Sequence, residues 1–203
     1  MAYPIPKPLF DTIEDIGAQT LVMKTELRFA KKDFNNAQDF LIQYSGNSAT
    51  FRAYRREIER LLQWAWLIAK KSVLKLTRED IEQFIKFCQK PPKSWISLQR
   101  VHKFINKGGQ RVPNHKWRPF VVFVSKQQRK KGTLPQKNDY SLSQRALQST
   151  FDILNSFFSS LLDDRLCKVN PVRQVKQKKT KYLVTKQGKR EIRTPPDLRD
   201  YNI

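Results

Sequence analysis

Cysteine and histidine are almost absent from this chain, which has two of each among its 203 residues. The cysteines, Cys88 and Cys167, lie far apart, and neither belongs to a CxxC or Cys/His cluster. This spacing favours reduced thiols and argues against a structural zinc site and against redox chemistry. We therefore expect no metal site and no cofactor.

Long apolar runs are missing as well. No stretch approaches the roughly 18 consecutive apolar residues of a membrane span. Acidic residues such as Asp11 and Glu14 interrupt the first thirty positions, where a secretory signal would have an apolar core. From the sequence we expect a cytoplasmic protein with no membrane partner.

Acidic residues are scarce: 18 Asp and Glu stand against 40 Lys and Arg, which gives a formal net charge of +22. A charge of this size favours a polyanionic partner. Residues 99–139 hold eleven basic and one acidic side chain, and residues 165–203 hold twelve and three. The 39% hydrophobic and 11% aromatic content is too high for a disordered polycation, so we also expect a folded core.

Helical spacing of apolar residues predicts an all-α fold of four or five helices. A first helix over residues 34–44 ends near Gly46, and a second begins at Ser48 and carries an apolar stripe to residue 65. A third begins at Thr77, whose spacing to Asp80 fits a capping box, and ends before a proline pair at 91–92. A short helix over 98–105 ending at the glycines 108–109 is also predicted.

The last predicted helix covers residues 144–162. Ser141 and Gln144 have capping-box spacing, and the broad apolar face that follows must be buried on several sides. Four aromatic residues are expected in the core, namely Trp64, Trp66, Phe157 and Phe158. Residues 107–139 are predicted to be a long loop, or a lone apolar hairpin at 121–124.

These patterns divide the chain into three parts. We expect an N-terminal arm over residues 1–29, a helical domain over 30–172 with a long basic insertion at about 92–139, and a basic linker or tail over 173–203. The tail is rich in Lys and Gln with few apolar residues, which is typical of a linker.

Three motifs in this order resemble the N-terminal core-binding domain of the tyrosine recombinases, or phage integrases. They are Thr50, Tyr54, Arg55 and Arg56 at the start of the second helix, Leu76, Thr77, Asp80 and Ile81 before the third, and Asn170–Pro171 after the last. The resemblance covers roughly residues 30–180, apart from the insertion. It implies a SAM-like helical fold that clamps duplex DNA during site-specific recombination and DNA integration, in a bacterial cytoplasm and associated with the nucleoid. It also implies other recombinase protomers as partners, and no small-molecule substrate.

The residue types at the helix surfaces agree with a DNA contact, since Arg and Lys bind phosphates and Gln and Arg also bond to base edges. The candidate contacts are Ser48, Thr50, Arg52, Arg55, Arg56 and Arg60 of the second helix, Ser141, Ser143, Arg145 and Gln148 of the last helix, and Lys176, Lys178, Lys179 and Lys181 of the tail. Ser48 and Ser141 begin helices whose N-terminal amides can bind a phosphate. Some of the arginines are equally expected to pair with Glu57 and Glu59 along the helix.

No catalytic residue is assigned. The chemistry of the family needs an arginine-rich pocket, a His-x-x-Arg pair and a nucleophilic tyrosine. His115 and Arg118 match the pair as letters, but they fall inside the insertion of the first domain. We therefore expect a chain that binds DNA and is inactive alone, as a fragment or a natural truncation.

Two alternatives come from other classes. A basic helical protein also suits RNA or the ribosome, with Trp117 and Phe120 available to stack on exposed bases. An independent nuclease is the second alternative. It is disfavoured because the sequence has no Asp, Glu and His residues clustered with metal-ligand spacing.

Overall fold

Five α-helices are the main elements of the chain described by the computed structural model, which covers residues 3–19, 26–123, 132 and 134–176. They are α1 (Ala30–Ile42), α2 (Ser48–Trp64), α3 (Arg78–Gln89), α4 (Gln144–Asp163) and α5 (Pro171–Lys176). The prediction of a mostly helical fold is confirmed at this level. None of the described helices combines the length and apolar character that a membrane span requires.

Helix α2 lies at the centre and packs against α1 and α4. Asn47 caps it, because its side-chain oxygen accepts hydrogen bonds from the backbone N–H of Ala49 and of Thr50, both at 3.0 Å. Ser48 is thus the first helical residue and not the cap. After Trp64 the helix widens into a π-turn over Ala65–Ala69, and Lys70 ends it in the left-handed region at φ 56°.

The caps of α3 and α4 show how far local sequence determines a helix start. Thr77 and Asp80 form the predicted capping box of α3. The capping box predicted for Ser141 is wrong: α4 is capped two residues later by Ser143, whose Oγ accepts from the Ala146 N–H at 3.2 Å. Capping-box spacing therefore selects the wrong one of two neighbouring serines.

The core joins α1, α2 and α4. The Phe40 ring lies 5.1 Å from Phe157 of α4 and 5.8 Å from Tyr54 of α2, between ring centroids. The four aromatic residues predicted to be in the core, Trp64, Trp66, Phe157 and Phe158, are all buried. That prediction is confirmed.

The core also takes in both flanks of the helical body. Leu9 and Phe10, within the predicted N-terminal arm, are fully buried, and the Phe10 ring stacks on Phe34 at 4.9 Å. Val172 and Val175 of α5 are buried too, and α5 packs against α3 and α4. Residues 3–19 and the segment up to Val175 therefore belong to the packed body.

The insertion contains strands, so the helix predicted over 98–105 is wrong. Strand β1 (Ile96–Ser97) pairs in parallel with β4 (Phe120–Val121), and β2 (Phe104–Lys107) forms an antiparallel hairpin with β3 (Gln110–Pro113). Gly108 and Gly109 make the two-residue turn at φ 58° and 77°. Positive φ at both positions defines the turn that matches strand twist, and glycine adopts it without steric cost.

One buried carboxylate ties the end of α2 to α1. Asp33 of α1 is fully buried and accepts hydrogen bonds from Trp66 Nε1 at 3.0 Å, Ser72 Oγ at 2.6 Å and the Val73 N–H at 3.0 Å. Burial raises the pKa of the Asp33 carboxyl above its ordinary value, although the hydrogen bonds from Ser72, Trp66 and Val73 oppose the shift. Asp33 therefore fixes the turn that follows α2.

Replacing Asp33 tests this anchor. Asp33→Ala leaves three buried donors without an acceptor and should lower the free energy of unfolding by about 2–4 kcal/mol. Asp33→Asn keeps an acceptor for Trp66 and Val73 and should unfold at nearly the wild-type urea midpoint. Equal losses for both variants would contradict the anchor.

The raised pKa of Asp33 also predicts a pH dependence. The folded protein holds this proton to a higher pH than the unfolded chain, so the stability contributed by Asp33 is full below the unfolded pKa and is lost as pH rises through the folded pKa. The difference in unfolding free energy between wild type and Asp33→Asn should therefore fall as pH rises through that interval, as measured by urea titrations at several pH values. A difference that grows with pH would contradict the direction of the shift.

Candidate nucleic-acid interface

A cleft of about 550 Å³ lies between α2, the insertion and the start of α4. We call it the basic cleft. Its charged lining consists of Arg52, Arg55, Arg56, Arg60, Arg100, Lys103, Arg111 and Arg118, with Asp11 and Glu57 as the acidic members. The cleft thus gathers cations from two parts of the sequence that are forty residues or more apart.

Glu57 links α2 to α4 at the back of the cleft. It is buried, and its carboxylate accepts from Arg56 Nε at 2.6 Å, Arg60 Nη1 at 3.1 Å and Thr150 Oγ1 at 3.2 Å. Burial alone would raise the pKa of Glu57, but the guanidinium groups of Arg60 and Arg56 hold it below its ordinary value. The carboxylate therefore stays charged and orients both arginines.

Arg60 must be corrected as a candidate DNA contact. Its side chain is only 11% exposed. Its Nε and Nη2 donate to the Pro119 carbonyl oxygen at 3.0 and 2.7 Å, and its guanidinium lies 4.5 Å from the centre of the Phe120 ring. Because its hydrogen-bonding groups are engaged inside the protein, Arg60 fixes the insertion to α2 and is removed from the set of phosphate contacts.

Glu59 makes a second link, on another side of α2. It is 1% exposed, and its Oε1 accepts from the Leu9 N–H at 2.5 Å while Oε2 pairs with Lys103 Nζ. The Lys103 ammonium also lies 4.8 Å from the centre of the Trp117 ring. A single buried carboxylate thus holds both the N-terminal segment and the base of the β2–β3 hairpin on α2.

Asp11 closes one end of the cleft. Its carboxylate accepts two hydrogen bonds from Arg111 of β3, and its backbone oxygen accepts one from Arg55 Nη1. The Arg55 guanidinium also lies 5.4 Å from the centre of the Phe51 ring. Arg55 and Arg111 are therefore held in place, while both still line the cleft.

Other cations stand at the mouth of the cleft. Arg52, Arg56 and Arg100 are exposed, and the Arg56 side chain keeps 49% of its surface in contact with solvent despite its bond to Glu57. Arg118 is partly exposed, and its Nη1 donates to the backbone oxygens of His115 and Trp117 at 2.7 and 2.6 Å. The mouth therefore presents guanidinium groups from α2 and from the insertion side by side.

The remaining helix candidates form a second surface. A shallow groove between α2 and α4 is lined by Thr50, Arg145 and Gln148, together with Asp152. Gln148 Nε2 donates to Asp152 Oδ1 at 2.8 Å, one helical turn away. The predicted set is thus divided between two grooves that share α2, with Arg52, Arg55 and Arg56 in the basic cleft.

The helix starts carry less of the site than predicted, and most of the predicted tail contacts fall outside the described residues. Ser48 and Ser141 are exposed, but Asn47 already binds the amides of Ala49 and Thr50, and Ser143 caps α4 in place of Ser141. Lys176 is the last residue of α5. Three of the predicted tail contacts lie outside the described residues, namely Lys178, Lys179 and Lys181.

The insertion supplies cleft residues that the helix patterns missed. Arg100, Lys103, Arg111 and Arg118 all line the cleft. The signal that could have found them is compositional, because residues 99–123 contain six Lys and Arg and no Asp or Glu. A long loop would not have fixed their positions, whereas two strand pairs do.

The aromatic residues expected to stack on RNA bases are not available for stacking. Phe120 is fully buried between the rings of Trp95 and Tyr140, and Trp117 is 8% exposed. This corrects the stacking role proposed for both residues. Within the described residues, no three His, Cys, Asp or Glu side chains are grouped as metal ligands.

Glu59 offers a test of how the cleft is held. Glu59→Gln keeps an oxygen for the Leu9 N–H but leaves Lys103 buried without a counter-charge, so we expect a loss of about 3 kcal/mol in unfolding free energy. The double variant Glu59→Gln with Lys103→Met removes the unpaired charge and should recover at least half of that loss. Urea denaturation of both single variants and the double variant completes the cycle. If the loss of unfolding free energy in the double variant equals the sum of the losses in the two single variants, the pairing of Glu59 with Lys103 is contradicted.

Comparison with known proteins gives no relative. No protein-family model matches the chain, and no similar curated protein and no similar solved structure was found. The resemblance to the tyrosine recombinases therefore stays a prediction, and the functional interpretation depends on the geometry of the cleft.

Proposed function

We propose that this protein binds the phosphate backbone of duplex DNA in its basic cleft. The observation that carries the proposal is the row of exposed arginines at the mouth, Arg52, Arg56 and Arg100, from two separate segments of the chain. Guanidinium groups bond phosphate oxygens in pairs. Behind them, Glu57 and Glu59 anchor neighbouring elements of the cleft. Binding therefore loses less conformational entropy than it would on a flexible chain.

The burial of the aromatic side chains that line the basic cleft favours a duplex over single strands as its ligand. Proteins that bind single-stranded DNA or RNA present exposed aromatic rings on which bases stack. The aromatic residues that line the cleft, Phe104 and Trp117, are 4% and 8% exposed. A surface of exposed guanidinium groups with buried rings suits a continuous phosphate backbone better than unstacked bases.

The groove between α2 and α4 supplies a second contact in this proposal. Thr50 and Arg145 line it from the two helices, and it shares α2 with the basic cleft. A hydroxyl and a guanidinium on adjacent helices can bond a second stretch of backbone. Gln148 is the member of this groove that suits a base edge.

The biological role we propose follows from the resemblance. The chain would grip DNA and set its register in site-specific recombination, and alone it would be inactive in strand transfer. Arg55 and Arg56 of the first resembling motif line the basic cleft, and Thr50 lines the second groove, which supports this role. Thr77 and Asp80 cap α3, so their part in the resemblance is structural.

Salt dependence tests the backbone contact. With five phosphates neutralised, the logarithm of the association constant should fall against the logarithm of salt concentration with a slope of about −4 to −5. Fluorescence anisotropy with a 30-base-pair duplex between 50 and 300 mM NaCl measures it, since counterion release scales with the number of contacts. A slope near zero would exclude the cleft as a backbone site.

Individual arginines give a second test. Arg52→Gln and Arg100→Gln should each weaken binding to all duplexes alike and reduce the slope by about 0.9, because each removes one phosphate contact. Both are exposed, so their removal leaves the Glu57 and Glu59 contacts intact. Lys75→Gln and Lys86→Gln are the matched controls: they are exposed, remove the same charge and line neither groove.

The four variants separate a specific site from general charge. If the cleft is the site, the two control variants keep the wild-type slope. Equal effects from all four would mean that the net charge, and not the cleft, binds DNA. Incubation with supercoiled plasmid tests the proposed lack of strand transfer, since a covalent protein–DNA adduct would overturn it.

A further inference from the structure

The β2–β3 hairpin projects from the helical body. Residues 105–111 are all exposed, whereas Phe104 at the base is buried. The two strands form a sheet of their own, and neither edge pairs with another strand in the part of the chain that the structure describes. An isolated hairpin of this size is marginally stable in water, so the base must hold it.

The base is fixed by several contacts. The Asn114 N–H donates to the Lys103 backbone oxygen at 2.7 Å, and Asn114 Nδ2 donates to the His102 oxygen at 2.8 Å. Lys103 pairs with Glu59, and closer to the turn Arg111 bonds the Asp11 carboxylate. The hairpin is therefore anchored at its base and along one face, and its turn at 107–110 is exposed.

The register assigns the side chains to two faces. Asn106 is paired with Arg111, and Lys107 with Gln110, and paired residues point to the same face of a ribbon. Because Arg111 bonds Asp11, its face looks toward the body, and Lys107 and Gln110 lie on the opposite face. The outward face of the tip thus carries one ammonium and one carboxamide, while Asn106 shares the face of Arg111.

We propose that this hairpin lays its outward face in the major groove of duplex DNA and contacts base edges through Lys107 and Gln110, an inference that rests on duplex binding in the adjacent cleft. A two-stranded ribbon fits the major groove, which is about 12 Å wide and 8.5 Å deep. The exposed residues 105–107 of β2, at roughly 3.4 Å each, span about 10 Å. Carboxamides bond adenine in pairs, and lysine bonds guanine.

The positive charge around the β2–β3 hairpin favours DNA over a protein strand as its partner. Residues 99–123 carry six Lys and Arg without an acidic residue, and the hairpin contributes Phe104 and Arg111 to a cleft lined by arginines. Edge-to-edge addition of another strand would bring these cations together with no counter-charge. A polyanionic groove instead complements the whole segment.

The experiment compares a tip variant with a matched control. Preferred duplexes are first selected from a randomised pool with the full wild-type chain. Anisotropy then measures the ratio of affinities for a preferred and a scrambled duplex at one salt concentration. The tip variant combines Lys107→Ala and Gln110→Ala, and the control combines Gln83→Ala and Lys86→Ala on exposed positions of α3. Dimethyl sulfate footprinting reports guanine N7 in the major groove.

We expect the tip variant to lose roughly tenfold or more of the affinity ratio and the guanine N7 protection, with a salt slope changed by no more than about one. The control should keep both. Unchanged selectivity and protection in the tip variant would overturn the hairpin proposal while leaving backbone binding intact. Wild-type binding without sequence preference, or a dimer that the tip variant abolishes without effect on DNA binding, would also overturn it. Failure of the wild type to bind any duplex would overturn the proposed function itself.

Discussion

Two buried carboxylates on α2 hold the rest of the molecule together. Glu57 and Glu59 are two positions apart, so they leave the helix on different sides, and each bonds groups from distant parts of the chain. Glu57 joins α4 and the two arginines beside it, and Glu59 joins the N-terminal segment and Lys103. Burying a carboxylate is unfavourable unless it is fully bonded. The cations of the cleft therefore stabilise the fold, because they pair with the buried carboxylates, and also form part of the cleft surface.

The helices could be predicted because their signals are local. Apolar spacing and the Thr77–Asp80 box determine α3 from a dozen residues, and the stripe on α2 is confirmed by its burial. The hairpin could not be predicted in this way. Its apolar positions fall at helical spacing, and Gly108–Gly109 suits a helix end as well as a tight strand turn. Only the pairing of Phe104 with Pro113 and its neighbours decides between the two.

The site could be predicted only in part, because only some of its residues lie close together in the sequence. Arg52, Arg55 and Arg56 lie on one helix, and its periodicity brings them to one region of surface. Arg60 has the same charge and spacing, but its burial depends on Pro119 and Phe120, which the sequence places 59 and 60 residues away. Likewise, the burial of Leu9 depends on Glu59. The sequence pattern within one helix gives no information on contacts with residues so far away in the chain.

The sequence separation of these pairings determines when the cleft can form during folding. Leu9 reaches Glu59 across 50 positions, Arg60 reaches Pro119 across 59, and Thr150 reaches Glu57 across 93. Contacts of such separation form late, because long loops must close before they contribute. In a nascent chain, Glu59 therefore lacks Lys103, and Glu57 lacks Thr150, until those residues have been synthesised, so the cleft is complete only late in folding.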